Sequence, residues 1–268
     1  MKNNHSNART VLIIGAGAAG LMAGIRAAEK DPNRQVLIAE RMERPGRKLL
    51  ITGKGRCNVT NCCTIEEFMP NVLTNPRFLY SSLNALSPYE VMGFFEECGV
   101  PLKVERGERV FPVSDHSSDI VNALVQKAKD IGCRFLYNCR IKELLLEQTD
   151  DGQTVRGALT EGGEKILADA VIVATGGKSY PATGSTGDGY QLARQAGHRV
   201  TPLRPSLIPL VCKEKYCRDM MGLSLKNVTL RVVDTQSGQV VFSELGEMLF
   251  THCGVSGPLV LSASCHLQ

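Results

Sequence analysis

The most constraining feature of the chain is a branched apolar run that ends on three closely spaced glycines near the N-terminus. Val11 to Ile14 are apolar, and Gly15, Gly17 and Gly20 follow in the spacing G-x-G-x-x-G. A short apolar run bounded by glycine is typical of a buried parallel strand. Gly15 then permits a tight turn, Gly17 leaves room for a pyrophosphate, and Gly20 lets a helix pack close to the strand. The N-terminus of that helix would direct N–H groups at the phosphates.

The same glycine pattern also occurs in purely structural turns, so its context decides the interpretation. A second strand, predicted over residues 34–39, ends at Glu40, twenty residues after Gly20. A carboxylate at this distance accepts hydrogen bonds from a ribose diol, and it also repels a 2′-phosphate. An ordinary surface charge is the simpler interpretation of Glu40, but the strand, the spacing and the glycines together favour a dinucleotide other than NADP.

Length, composition and net charge limit the classes of protein to which the chain can belong. A chain of 268 residues with 43% hydrophobic and 22% charged residues is typical of a soluble globular protein of one or two domains. The net charge of +4 is small and unclustered, so we expect neither a nucleic-acid nor a membrane partner. No apolar run is long enough to span a bilayer, and the polar start over residues 1–9 argues against a secretory signal.

Ten cysteines are scattered along the chain without a C-x-x-C pair or a zinc-finger spacing to histidine. This distribution predicts reduced thiols in the cytoplasm and no metal site. Cys57 lies in a glycine-rich loop, where a small packing residue and a redox thiol are both conceivable. The packing role is the simpler interpretation.

The segment 44–61 that follows Glu40 contains three glycines and five basic residues. Such a loop can surround phosphate with backbone N–H groups and basic side chains. A solvated basic loop is the alternative. Contact with a cofactor is favoured because the loop leaves the strand that carries the ribose carboxylate.

Hydrophobic periodicity and turn residues predict the secondary structure of the middle of the chain. Three helices are expected in this region. The first covers residues 75–86, the second begins at the capping box of Ser87 and Glu90 and ends at Gly99, and the third covers 119–131. Strands are expected over residues 102–105, 109–113, 135–137, 140–147, 155–160 and 165–168. Turns at 150–152 and 161–163 join the last three of them into an antiparallel meander. Residues 170–177 then repeat the apolar strand that ends on glycines, which brings a second backbone segment towards the cofactor.

For the rest of the chain, the sequence predicts a loop, a helix and a second region rich in strands. Thr186 or Asp188 could cap the helix predicted over 190–196 or could contact a ligand, and His198 reads as structural. Prolines at 202, 205 and 209 mark a boundary between domains over residues 1–200 and 201–268. Strands are expected over 207–211, 228–233, 240–242 and 247–250, and a helix after Ser256. The apolar pattern of that helix has not closed where the sequence stops at Gln268, so we expect an incomplete second domain.

The chain resembles the bacterial FAD flavoproteins known as BaiN-like or aminoacetone-oxidase-like oxidoreductases. Four stretches carry the resemblance, and the second is the most specific: residues 15–24 with Glu40, residues 48–61, residues 174–190 and residues 250–258. The resemblance implies an α/β fold with a doubly wound, Rossmann-like FAD-binding domain, a β-meander crossover and an inserted β-rich domain. Members of the family continue beyond the point where this sequence stops, with another glycine-rich helix start beside the flavin.

The resemblance also implies a set of cofactor-binding residues. Glycines and alanines of the first turn would hold the pyrophosphate, and Glu40 the adenosine ribose. The residues implied for FAD are Gly15, Gly17, Ala18, Ala19, Gly20, Glu40, Arg41, Lys48, Thr52, Gly53, Gly55, Arg56, Cys57, Asn58, Ile141, Ala174, Thr175 and Gly176. The substrate does not carry over, since relatives named for amine oxidation and for enone reduction differ in substrate.

The leading hypothesis is therefore an FAD-dependent oxidoreductase that transfers hydride between the flavin and a small organic substrate or NAD(P)H. An NAD-dependent dehydrogenase and a truncated FAD-binding protein without turnover are the alternatives. No Ser/His/Asp triad, metal site or pair of catalytic carboxylates follows from residue spacing, so no catalytic residue is predicted. The oligomeric state does not follow from the sequence either.

Overall fold

The computed structural model describes residues 9–150 and 152–267. The strands are β1 (Thr10–Ile14), β2 (Gln35–Ala39), β3 (Thr60–Asn61), β4 (Leu102–Glu105), β5 (Arg109–Pro112), β6 (Arg134–Leu136), β7 (Ile141–Thr149), β8 (Gly152–Thr160), β9 (Lys165–Leu167), β10 (Ala170–Val173), β11 (Leu210–Val211), β12 (Ser224–Val233), β13 (Val240–Thr251) and β14 (Gly254–Ser256). The helices are α1 (Ala18–Lys30), α2 (Arg47–Ile51), α3 (Ile65–Phe68), α4 (Tyr80–Ala85), α5 (Pro88–Glu97), α6 (Ser117–Asp130), α7 (Asp188–Gln195), α8 (Tyr216–Asp219) and α9 (Pro258–Ser264).

These elements group into two compact units. The first comprises residues 9–68 and 79–200, and the second comprises 69–78 and 201–267. Residues 69–78 therefore lie within the range predicted for the first domain but group with the second unit. Among the described helices, none combines the length and the apolar character needed to cross a membrane.

A four-stranded parallel sheet in the order β10-β1-β2-β6 forms the centre of the first unit. Successive residues of β1 face opposite sides, as the period of two requires. Val11 and Ile13 pack with α1, α5 and α6 in one apolar cluster. Leu12 and Ile14 pack with the β7-β8-β9 meander and α7 in a second cluster. Both faces of the sheet are covered, which explains why β1 is apolar at every position from Val11 to Ile14.

The predicted fold class is confirmed: the first unit is a Rossmann-like α/β domain with an antiparallel meander. The capping box is present, with the Ser87 N–H donating to the Glu90 side chain and the Glu90 N–H donating to Ser87 Oγ. A smaller antiparallel sheet in the order β3-β5-β4 lies in the same unit. The strand predicted over 135–137 belongs to the parallel sheet as β6, because it pairs with β2.

The second unit is an antiparallel sheet in the order β11-β14-β13-β12 with α9 packed on β13. The strands expected over 240–242 and 247–250 are one continuous strand, β13, whose register with β12 shifts at two bulges. The strand expected over 207–211 is shorter, since only Leu210–Val211 pairs. The predicted polar start over 1–9 and the turn at 150–152 include residues 1–8 and 151, which lie outside the described residues.

Two glycines of the first turn provide a matched test of this architecture. A Cβ atom on Gly20 would collide with the carbonyl oxygen of Gly15, whereas a Cβ on Gly17 would meet no atom of residues 9–150 or 152–267 within 4 Å. We expect Gly20→Ala to lower the free energy of unfolding by about 3 kcal/mol, because backbone must shift to accept the methyl group. Gly17→Ala should change it by less than about 1 kcal/mol. Urea unfolding followed by circular dichroism measures both, and equal losses would contradict this packing.

Candidate dinucleotide-binding site

The glycine ends of β1 and β10 meet at one cavity of about 510 Å³. The Ala174 N–H donates to the Ile14 carbonyl oxygen at 2.8 Å, which holds the two strand ends side by side. Gly15 has φ +104°, and a Cβ on it would lie 2.6 Å from the Ala174 carbonyl oxygen. Gly17 and Gly176 both line the cavity. The carboxyl ends of the parallel strands thus form the edge at which α/β sheets bind ligands.

Helix α1 presents an uncapped N-terminus to this cavity. Gly17 is the N-cap residue, and among the described residues no side chain accepts a hydrogen bond from the first turn. Ala18 and Ala19 line the cavity, whereas Gly20 is buried against Gly15 and does not. Free N–H groups at a helix N-terminus, combined with the helix dipole, favour an anion.

Glu40 is buried and lines the same cavity. Its carboxylate accepts hydrogen bonds from the N–H of Ala16 at 2.8 Å and the N–H of Met42 at 2.9 Å. These bonds tie the glycine turn to the end of β2, a role that the sequence did not predict. An ionised carboxylate has about four lone-pair sites, so two bonds leave capacity for a ribose hydroxyl.

The first half of the basic segment faces the cavity. Arg44, Gly46, Arg47, Lys48, Leu49 and Thr52 line it. Lys48 Nζ donates to Ser179 Oγ at 3.1 Å, and Thr52 Oγ1 donates to the Leu49 carbonyl oxygen at 2.8 Å. Arg47 is half-buried and makes no hydrogen bond or ion pair with any residue that the structure describes. Its guanidinium is therefore available to an anion.

The second half of the segment, Gly53 to Asn58, turns away from the cavity: Gly53, Gly55, Arg56, Cys57 and Asn58 are not among its lining residues. Arg56 Nη1 lies 2.8 Å from Glu105 Oε1 and 3.3 Å from Asp115 Oδ1, and the guanidinium lies 4.1 Å from the Phe111 ring centroid. These contacts satisfy Arg56 on the small β3-β5-β4 sheet, which explains its direction. The amide of Asn58, oriented to donate, is 3.1 Å from the Thr60 carbonyl oxygen.

Cys57 is buried, with 1% of its surface exposed. Burial raises the pKa of its thiol, and a hydrogen bond with Thr52 opposes this only in part. A thiol with a raised pKa is a poor nucleophile. The geometry favours the packing role over the redox role. Its backbone has φ +60°, and Gly53, Lys54 and Gly55 also have positive φ.

A polar cluster lies at the cavity edge where β2 and β7 meet the N-terminus of α7. Arg41, Arg140, Ile141 and Asp188 line the cavity there. Asp188 Oδ2 is 3.3 Å from Arg41 Nη1 and 3.1 Å from Arg140 Nε, and Arg41 Nη1 is 2.6 Å from Thr186 Oγ1. Burial opposes ionisation of Asp188, but the hydrogen bonds from Thr186 and Arg140 and the charge of Arg41 lower its pKa overall. Neither Thr186 nor Asp188 caps the helix, since Gly187 is the N-cap.

One buried polar atom in the cavity wall has no partner. Thr175 lines the cavity, and its Oγ1 makes no hydrogen bond within the described part of the chain. An unpaired buried hydroxyl costs about 1–3 kcal/mol unless a ligand or water bonds to it. Ala174, Thr175 and Gly176 therefore join Gly17 and Glu40 around one space. The uncapped helix, the carboxylate, the free Arg47 and this hydroxyl fit the phosphate, ribose and polar groups of FAD.

Twelve of the residues implied for FAD line the cavity: Gly15, Gly17, Ala18, Ala19, Glu40, Arg41, Lys48, Thr52, Ile141, Ala174, Thr175 and Gly176. Arg44 and Arg47 lie in the basic segment that was predicted to contact the cofactor but were not named individually, and Cys139 and Arg140 were not predicted from the sequence. Arg47 and Arg140 each adjoin a predicted residue, which is the signal that could have found them. No group of His, Cys, Asp or Glu within 9–150 and 152–267 is arranged to hold a metal ion.

The fold and the site define a Rossmann-like dinucleotide-binding protein. Comparison with known proteins narrows this class: the profile of the HI0933-like protein Rossmann domain matches residues 9–263. The chain belongs to this family, the BaiN-like and aminoacetone-oxidase-like flavoproteins that its motifs resemble, and the resemblance is confirmed. The family is one of FAD-dependent oxidoreductases.

Two relatives show how far the similarity extends. The chain is 33% identical over 260 residues to the 3-dehydro-bile acid delta(4,6)-reductase of Clostridium scindens, covering 95% of this chain and 59% of that protein. It is 31% identical over 257 residues to the ribosomal RNA dihydrouridine synthase of Escherichia coli, covering 96% and 60%. The chain thus spans about three fifths of the length of these relatives.

Solved structures share the fold. A flavocytochrome c3 fumarate reductase in an open conformation matches with a TM-score of 0.57 and 22% identity, covering 83% of this chain and 47% of that chain. The E. coli quinol fumarate reductase matches with a TM-score of 0.57 and 19% identity, covering 82% and 43%. At this identity the likeness concerns the fold alone.

The Arg56 contacts predict a local effect on the basic segment. Arg56→Met removes both ion pairs and the contact with Phe111, so the turn from Thr52 to Cys57 should open more often. We expect the Cys57 N–H, which donates to the Thr52 carbonyl oxygen at 3.0 Å, to exchange with solvent about tenfold faster. Hydrogen exchange measured by mass spectrometry tests this. Arg106→Met, a change at an exposed arginine, is the control. Equal exchange rates in both variants would show that the Arg56 contacts do not hold the turn.

The lowered pKa of Asp188 predicts a dependence of stability on pH. A carboxyl group whose pKa is lower in the folded state stabilises the fold above its ordinary pKa of about 3.9. This contribution disappears as the pH falls through the lower folded-state pKa. Wild type should therefore lose more stability than Asp188→Asn between pH 6 and pH 3. Urea midpoints at both pH values measure this, and parallel losses in the two proteins would refute it.

Proposed function

We propose that the chain forms the FAD-binding part of an oxidoreductase that transfers hydride between the flavin and a small organic substrate or NAD(P)H. The single observation that supports this most is the meeting of two glycine-ended strands at one cavity, beside an uncapped helix N-terminus and a buried carboxylate. FAD, when bound, supplies the hydride chemistry. The chain supplies binding, orientation and charge.

The described residues divide this work by their chemistry. The N–H groups of Ala18 and Ala19, with the guanidinium of Arg47, would bind the pyrophosphate anion. Glu40 would accept hydrogen bonds from the adenosine ribose while it keeps the glycine turn fixed. Thr175 Oγ1 would gain the hydrogen-bond partner that it otherwise lacks. Gly53, Gly55, Arg56, Cys57 and Asn58 would contribute through the position of the segment and not by contact.

We further propose that residues 1–200 form the FAD-binding domain and that residues 201–268 begin an inserted β-rich substrate domain. The change of compact unit at residue 200 supports the boundary, and residues 69–78 are the exception because they group with the second unit. Reduced cysteines, all free in the described residues, suit a cytoplasmic protein. The relatives are named for a bile acid and for ribosomal RNA. Because the net charge of +4 is small, a small molecule is our first candidate substrate, and RNA is the second.

Purification followed by absorbance and mass analysis of the released cofactor tests the proposal. Flavin absorbance and the mass of FAD are the expected result. A folded protein that retains no FAD, and whose apo form binds NAD⁺ in preference to FAD, would replace it with the dehydrogenase hypothesis. Bound FAD that neither NAD(P)H nor any amine, enone or RNA substrate reduces or reoxidises would support a binding protein without turnover.

A pair of glycine variants tests the position of the pyrophosphate. Gly17 and Gly93 each have space for a Cβ atom, but only Gly17 lines the cavity. We expect Gly17→Ala to weaken FAD binding by at least about tenfold, because the methyl group occupies space next to the helix N-terminus. Gly93→Ala should leave the affinity unchanged. Titration of the apoproteins by flavin fluorescence measures this, and equal affinities would place the pyrophosphate elsewhere.

A further inference from the structure

The chain carries an arginine, Arg41, directly after the ribose carboxylate Glu40. In dinucleotide-binding folds, an arginine near this position accommodates the 2′-phosphate of NADP. A guanidinium pairs with phosphate through parallel charge-assisted hydrogen bonds, provided that its donors are free. The location of Arg41 alone would therefore favour a phosphorylated ribose and oppose the effect of Glu40.

The contacts of Arg41 show that one terminal nitrogen of its guanidinium is already engaged by an anionic partner and a hydroxyl. Arg41 Nη1 lies 2.6 Å from Thr186 Oγ1 and 3.3 Å from Asp188 Oδ2. Thr186 Oγ1 in turn lies 2.8 Å from Asp188 Oδ1, so the hydroxyl and the carboxylate form one acceptor surface. The side chains are largely enclosed, with 28% of Arg41 and 17% of Asp188 exposed. Enclosure reduces screening by solvent and strengthens the pairing.

Asp188 also holds a second arginine. Arg140 Nε is 3.1 Å from the same Asp188 oxygen, and Arg140 Nη1 is 3.0 Å from Glu161 Oε1. Two arginines and two carboxylates therefore balance at this edge, and Glu40 adds one further negative charge. Within this cluster of five side chains the carboxylates therefore outnumber the guanidinium groups by one, whereas the cations Arg44, Arg47 and Lys48 lie on the wall formed by the basic segment.

We propose that Asp188 determines the dinucleotide specificity of the site by neutralising Arg41, so that the ribose position accepts an unphosphorylated diol and rejects a 2′-phosphate. The inference rests on the proposed FAD site and goes beyond it. Glu40 repels the phosphate, and Asp188 withholds the cation that would otherwise bind it. Three elements of the fold, the end of β2, the start of α7 and the start of β7, must meet for this to operate.

Displacement of FAD from the full chain by two matched probes tests the proposal. ADP-ribose and 2′-phospho-ADP-ribose differ only in the 2′-phosphate. Wild type should prefer ADP-ribose, and Asp188→Asn should reduce this preference about tenfold by releasing Arg41. Glu161→Gln removes the same charge from the cluster without touching Arg41, and it should change the preference less than about twofold. Circular dichroism confirms folding, and Asp188→Ser serves if Asp188→Asn does not fold.

The alternatives give different results. An unchanged preference in the folded Asp188 variant overturns the inference while FAD binding by wild type keeps the proposed function intact. An equal shift in Asp188→Asn and Glu161→Gln also overturns it, because bulk charge and not the release of Arg41 would then explain the change. The double variant Arg41→Met with Asp188→Asn should restore the wild-type preference. Failure of wild type to bind FAD overturns the proposed function and the inference together.

Discussion

The close approach of backbone to backbone at the end of β1 is the constraint on which the site depends. Gly20, in the first turn of α1, lies against the carbonyl group of Gly15, and Gly15 lies against the carbonyl group of Ala174. No side chain fits at these two contacts. They place the backbones of α1, β1 and β10 in direct contact, so the helix N-terminus and both strand ends face the same cavity. A methyl group at either point would separate elements that must converge to bind one ligand.

The layers around the parallel sheet stabilise this convergence. Ile13 and Leu12 are fully buried on opposite faces of β1, and each contributes about 1.5–3 kcal/mol by leaving water. Helices α1, α5 and α6 cover one face, and the meander together with α7 covers the other. The meander also delivers Arg140 and Ile141 to the cavity edge. The second covering layer thus supports the sheet and supplies part of the site, which a plain helical crossover would not do.

Local patterns in the sequence were sufficient for β1, β2 and β10, the first helix and the capping box, whereas the family followed from the resemblance of the motifs. These features arise from neighbouring residues: glycine spacing, apolar runs and caps. They could not reveal that Arg56 pairs with Glu105 and Asp115, because those partners lie 49 and 59 positions away. The contact of Asp188 with Arg41 spans 147 positions. The sequence pattern of charged residues does not identify a partner that lies far along the chain. The structure was therefore needed to show that the first half of the basic segment faces the cavity and the second half does not.

The turn from Gly53 to Cys57 combines four left-handed backbone conformations, two of them at non-glycine residues. Lys54 and Cys57 adopt a region that side chains disfavour, and the anchors of Arg56 on the small sheet compensate for it. A segment held in this way has already lost its conformational entropy when the chain folds. Its neighbours Lys48 and Thr52 therefore meet a ligand without further ordering, and association at this wall should carry a small entropic penalty.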